Sequence, residues 1–204
     1  MTKPRGETRA RILRTAAELF QRQGYGATGL NQVLAESGAP KGSLYFHFPR
    51  GKEQLAAEAV ALAGGELGER MASVVGSAAG PRDAVVGVGE LLADELRESG
   101  FRDGCPLATV ALEQAGGDGP ISEVCQLTYD TWLLGLSDSL RGWGAADDEA
   151  AELAELVLSS LQGALLLAQV RRDTAVISTV ARRVASVVVR SLGEQGSGTQ
   201  DSEK

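Results

Sequence analysis

At 204 residues and 43% apolar content the chain can bury a sizeable core, and its net charge of −7 hides a polarity. Residues 1–52 hold nine Lys/Arg against three Asp/Glu, a net +6, while the remainder holds eleven against twenty-four, a net −13. Two cysteines, Cys105 and Cys125, are too few for a disulfide framework and lack paired zinc spacing, so reduced thiols in a cytoplasmic protein are expected. No unbroken apolar stretch follows the basic start at Arg5, Arg9 and Arg11, and the run Leu161–Val170 is interrupted by Gln162, Gly163 and Gln169. Neither a secretory leader nor a membrane partner is expected. The basic front of an acidic chain is either a solvated charged face or a local field that attracts a polyanion.

In chain order, Ile12, Ala16, Leu19 and Phe20 form one buried helical stripe, predicting a helix near 7–23 that Gly24 stops. Leu30, Val33 and Leu34 mark a shorter second helix ending at Ser37-Gly38, and Pro40 opens a third. Proline is tolerated only in the first helical turn, so Pro49, Pro81, Pro106 and Pro120 place further helices near 50–77, 82–99, 106–115 and 120–143. Helices near 148–172 and 174–192 follow. Glycine inside helices, at Gly87, Gly89, Gly135 and Gly163, indicates close packing or space beside a cavity. Ser, Gly, Gln and Asp after Leu192 indicate a frayed tail. The fold class is therefore all-α. Residues 1–52 are expected to form a three-helix domain, 53–193 a larger helical domain, and 194–204 a disordered tail.

Two helices near the C-terminus are apolar over more than one stripe. Leu153, Val157, Leu161, Leu165 and Ala168 mark one side of the first while Leu156, Gly163 and Leu167 mark another; Val176, Val180, Val184, Val187 and Val188 run along the second. Such surfaces must be covered by a second copy of the chain or by a thick core of one chain. The first reading gives a homodimeric four-helix bundle with Leu161, Leu165, Val180, Val184 and Val188 at the interface. The Val187-Val188-Val189 run also suits a strand.

The stretch from Thr28 to Phe48 carries the functional signal. Two short helices meet at a glycine turn, and the second is rich in small, hydroxyl, cationic and aromatic residues, the layout of a helix-turn-helix. Leu44 and Phe48, four apart, can anchor that helix on the core, leaving Lys41, Gly42, Ser43, Tyr45 and Phe46 toward a DNA groove. Lys41 can reach guanine or phosphate, Gly42 permits close backbone approach, and Ser43 can read donor or acceptor edges.

The stretch Ala16-Ala17-Glu18-Leu19-Phe20, Gly24-Tyr25, Thr28, Lys41-Gly42-Ser43-Leu44-Tyr45-Phe46-His47-Phe48 and Lys52-Glu53-Gln54-Leu55 closely resembles the tetracycline-repressor (TetR) family over residues 7–56. The resemblance implies a cytoplasmic, ligand-responsive repressor bound to double-stranded operator DNA. It implies that Thr28 binds phosphate through its hydroxyl and the second helix's N-terminus, and that Tyr45, His47 and Lys52 touch backbone phosphates. His47, the only histidine, suits a packing role at the end of that helix equally well. Pro40 and Gly29 depart from the family's commoner hydroxyl residues. Ser37-Gly38-Ala39-Pro40-Lys41-Gly42-Ser43, with Gly104-Cys105-Pro106-Leu107 and Ala111-Leu112-Glu113, is similar to the branch of the lincomycin-resistance and flavonoid-responsive repressors, LmrA and YxaF. That likeness implies a lipophilic, ring-containing small-molecule effector.

Large side chains between the two ends, including Met71, Phe101, Cys105, Leu112, Tyr129, Trp132 and Leu136, can line an effector pocket or be plain core; Tyr129 or Gln162 can orient a polar group. Cys105, before Pro106 at an expected helix N-terminus, suits either a buried thiol or a redox-sensitive one. With one histidine and no HExxH, GxSxG, phosphate loop or dinucleotide fingerprint, neither catalysis nor a cofactor or metal is expected. A helical adaptor without DNA binding accounts for the apolar helices but not for the basic segment or the Lys41–Phe48 motif.

Overall fold

The structure, a computed structural model, describes residues 5–198, and every regular element among them is a helix. The helices are α1 (Arg5–Ala27), α2 (Leu30–Ser37), α3 (Ser43–His47), α4 (Gly51–Ser77), α5 (Pro81–Glu98), α6 (Ala108–Glu113), α7 (Pro120–Gly142), α8 (Asp147–Arg171) and α9 (Ala175–Gly198). Gly24 breaks α1 with φ 81° and ψ 176°, where the sequence places its stop. Gly38 closes α2 in the left-handed region, its N–H reaching the carbonyls of Ala35 and Leu34. Pro81 and Pro120 sit in the first turns of their helices. Pro40 and Pro106 instead precede theirs, so α3 and α6 begin later than expected. Val187–Val189 are helical, and α9 runs past the expected tail boundary to Gly198; residues 199–204 lie outside the described residues.

The chain divides into two compact units. The first comprises the chain up to Leu67 together with Asp103–Tyr129; the second comprises Gly68–Arg102 and the chain from Asp130 onward. In the first unit α1 packs against α2, α3 and α6. Ile12, Phe20, Val33, Leu44, Phe48 and Leu55 are buried at its centre. Arg9 lies over the Phe48 ring, 5.1 Å from its centroid, and pairs with Glu58 on α4.

In the second unit α5, α8 and α9 pack closely. A β-carbon at Gly89 on α5 would stand 2.7 Å from Ala181 Cβ on α9, so only glycine permits this approach. Gly87 meets Val74 in the same way, whereas Gly135 and Gly163 face open space. Leu161, Leu165, Val184 and Val188, expected to meet a second copy, are buried in the core of this unit within one chain, and Val180 is half-buried. The apolar surface left open on α8 is the other stripe, Leu156, Gly163, Leu166, Leu167 and Val170. By length and composition α8 suits a membrane crossing. Its Ala150, Leu153, Val157, Leu161, Leu165 and Ala168 nevertheless fill the core, and Asp147, Asp148 and Glu149 occupy its first turn, as in a core helix of a soluble fold.

Candidate nucleic-acid interface

α3 is a helix of five residues, far too short to persist alone, and its orientation comes from two anchors. Leu44 and Phe48 are fully buried, while Tyr45 and Phe46 on the outer side are 64% and 65% exposed. Lys41 and Gly42 occupy the turn ahead of the helix and are exposed as well. Ser43 closes that turn twice: its N–H donates to the Pro40 carbonyl at 2.9 Å and its hydroxyl to the same oxygen at 2.6 Å. Local bonding thus replaces the side-chain cap that Pro40 removes. His47 is half-buried, edge-on to Phe46 and Phe48 with centroids 5.0 and 6.4 Å away. The Lys52 ammonium stands 4.3 Å from the Tyr25 ring centroid. Burial, reinforced by Glu53, pushes the Tyr25 phenol above its ordinary pKa.

Thr28 is placed differently from the expectation. It is 1% exposed, its hydroxyl donates to the Gly24 carbonyl at 2.7 Å, and it accepts from Gln23 Nε2 at 3.2 Å. A hydroxyl buried and bonded in this way braces the α1–α2 turn. Other bracing residues carry no obvious sequence signal. Gln23 donates to Gln32 Oε1 at 2.9 Å, and Arg11 donates to the Ser37 carbonyl at 3.2 Å, closing the end of α2. Arg22 makes two bonds to Asp103, at 2.7 and 3.1 Å, and that carboxylate raises its pKa. The segment 103–113 meets α1 at further points. Of these residues the sequence marks Gly104 and Glu113, each within a branch motif and without an assigned role.

The candidate effector residues fall into both units. In the first, Cys105 is buried with Sγ 3.9 Å from Tyr129 Oη, and Leu112 is exposed. Burial drives the Tyr129 phenol well above its ordinary pKa, with the neighbouring Cys105 thiol adding to the shift. The Cys125 thiol is likewise raised by burial. In the second unit Met71 and Trp132 are buried, and the Trp132 indole lies against Gly68. Phe101 is half-buried at φ 63°, with the Arg172 guanidinium 5.5 Å from its ring centroid. Leu136 borders an apolar cavity of about 10 Å³ with Val75, Val85, Val88, Leu140 and Trp143. Gln162 Nε2 and Ser137 Oγ are buried without a hydrogen-bond partner. Among the described residues, no three His, Cys, Asp or Glu side chains cluster closely enough to hold a metal ion.

Residues 12–59 match the model of the tetR family of bacterial regulatory proteins, and residues 81–183 match the C-terminal domain of LmrA/YxaF-like transcriptional regulators. The HTH-type transcriptional regulator YxaF of Bacillus subtilis (strain 168) is 36% identical over 189 residues, covering 93% of this chain and 98% of that one. LmrA of the same strain is 35% identical over 169 residues, covering 83% and 90%. A crystal structure of a TetR transcriptional regulator from Chloroflexus aurantiacus J-10-FL matches with a TM-score of 0.80 over 93% of this chain and 98% of that one. At 24% identity the latter is a likeness of fold alone.

Proposed function

Because the chain belongs to the TetR family of bacterial transcriptional regulators, on its LmrA/YxaF-like branch, we propose that it represses transcription from a near-palindromic operator and is released by a lipophilic, ring-containing effector. The observation that carries the reading is the division of α3: Leu44 and Phe48 fully buried, Tyr45 and Phe46 largely exposed beside exposed Lys41 and Gly42. A short helix fixed on one side and presenting a cation, a glycine and aromatics on the other suits the major groove. Lys41, Ser43, Tyr45 and Phe46 act at the groove, with Gly42 allowing close approach; Tyr45, His47 and Lys52 serve the flanking phosphates.

A near-palindrome requires a two-fold dimer. The exposed α8 stripe of Leu156, Leu166, Leu167 and Val170, with Gly163 between, is the surface assigned to the second copy. Two recognition helices then meet successive major grooves about 34–36 Å apart. For the effector, the buried Gln162 Nε2, without a hydrogen-bond partner, favours a ring compound carrying a hydrogen-bond acceptor, and Met71, Phe101, Trp132 and Leu136 of the same unit are the apolar residues assigned to it. Operator DNA places this work in the cytoplasm.

Selection of bound fragments from genomic DNA tests the reading. The expected result is enrichment of near-palindromes bound by the purified protein, with affinity falling steeply as salt rises. Binding without any sequence preference would overturn it.

A further inference from the structure

We infer that Glu113 is a positioning residue for DNA binding: its carboxylate, carried on α6, fixes the turn through which the chain passes from α1 into α2. The inference rests on the DNA-binding reading above and concerns residues that reading leaves without a role.

The turn is poorly able to hold itself. It runs Gly24-Tyr25-Gly26, and glycine loses more conformational freedom on ordering than any other residue. Gly24 sits at φ 81°, where side chains are strained. Its missing β-carbon leaves space that the Glu113 carboxylate occupies, and Glu113 Oε2 accepts the Gly26 N–H at 2.7 Å. The short, charge-assisted bond acts two residues before Thr28, whose hydroxyl grips the other side of the turn at the Gly24 carbonyl.

The rest of the segment holds Glu113 in place. Leu107 is fully buried and packs so tightly on Gly64 of α4 that a β-carbon there would stand 2.8 Å from Leu107 Cδ1. Gln21 Nε2 donates to the Gly104 carbonyl at 2.6 Å, and Arg22 grips Asp103 with two bonds. The two branch motifs, Gly104–Leu107 and Ala111–Glu113, are therefore the two ends of one clasp: the first seats α6, and the second reaches the α1–α2 turn.

The sign of one experiment separates this role from simple electrostatics. Glu113 is an exposed negative charge in a unit that binds a polyanion, so its loss should tighten DNA binding through the long-range field. The clasp predicts the opposite. With full-length protein, a genome-selected operator fragment and fluorescence anisotropy at a temperature where every variant is folded, Glu113→Ala should bind about 5–10-fold more weakly, the worth of one partly screened charge-assisted bond. The slope of log K against log salt should not change, because no phosphate contact is lost. Glu113→Gln keeps an acceptor and should stay within about threefold of the parent, since a neutral acceptor forms the weaker version of the same bond. Gly26 amide exchange, read by NMR, should accelerate in Glu113→Ala and stay slow in Glu113→Gln. If Glu113→Ala does not fold, Glu113→Asp, which keeps the charge but withdraws it by one methylene, should weaken binding and accelerate Gly26 exchange. Parent-like or tighter binding by the alanine variant, or by the aspartate variant in its place, overturns the inference and leaves the regulator reading intact. A parent protein that prefers no DNA sequence overturns both.

Discussion

The unit that carries α3 and the unit built on α5, α8 and α9 fix their helices by different means. In the first, polar atoms meet at defined points: Glu113 on the Gly26 amide, Thr28 on the Gly24 carbonyl, Arg11 on the end of α2. In the second, small apolar side chains let backbones come close, as Gly89 does against Ala181, and the core is filled by Leu, Val and Ala. Directional contacts set an orientation, which a recognition helix needs; dispersion and burial set stability and leave a broad surface for association. Substitutions in the first unit should therefore change DNA affinity more than folding, and those in the second the reverse.

The largest expected effect comes from a charge in the second core. Val184→Asp buries an unpaired carboxylate and should cost about 3–5 kcal/mol, read as loss of the helical signal on mild heating. Leu167→Asp changes an exposed residue on the other stripe of the same helix pair; it should keep the helical signal yet sediment as a monomer. A folded, monomeric Val184→Asp beside a dimeric Leu167→Asp would reverse the two faces. Next in size, Gly89→Ala sets overpacking of about 1–3 kcal/mol against about 1 kcal/mol of gained helix propensity, so denaturant titration should show a net loss. Gly135→Ala, with nothing near its β-carbon, should gain up to about 1 kcal/mol from propensity alone. Equal signs at the two glycines would break the close-packing account.

The smallest effect is a pH dependence in the first unit. Burial raises the Tyr129 pKa, so the folded state favours the protonated phenol. That contribution is fully present below about pH 10, where the unfolded phenol ionises, and is lost as pH rises toward the folded value. Thermal midpoints should fall above that pH, and less steeply in Tyr129→Phe. Cys125, raised in the same direction, is present in both proteins. Identical slopes would place Tyr129 in water.

The contrast between the units also explains what the sequence makes legible. A helix-turn-helix is local: Gly38, Leu44 and Phe48 lie within a few turns of one another, and their spacing predicts the anchored α3 directly. Helix positions in the second unit follow from proline and apolar periodicity. Which apolar stripe of α8 faces its own core does not, because Leu161 and Leu167 are chemically alike and only the packing of α5 and α9 distinguishes them. Residue type also says nothing of where a hydroxyl points, and Thr28 turns inward to Gly24. The Glu113 contact spans 87 positions, beyond the reach of any periodicity. The branch motif marks the residue without indicating its partner.

The central claim is that the exposed side of α3 reads DNA. The most direct measurement is the operator affinity of Lys41→Ala, Ser43→Ala and Tyr45→Ala against the parent at matched salt, on a genome-selected fragment and on a scrambled one. A lost specific contact should weaken operator binding by about 1–3 kcal/mol and leave scrambled DNA nearly unaffected, whereas a lost phosphate contact should weaken both and lower the salt slope by about one. All three variants binding the operator as tightly as the parent would contradict the account.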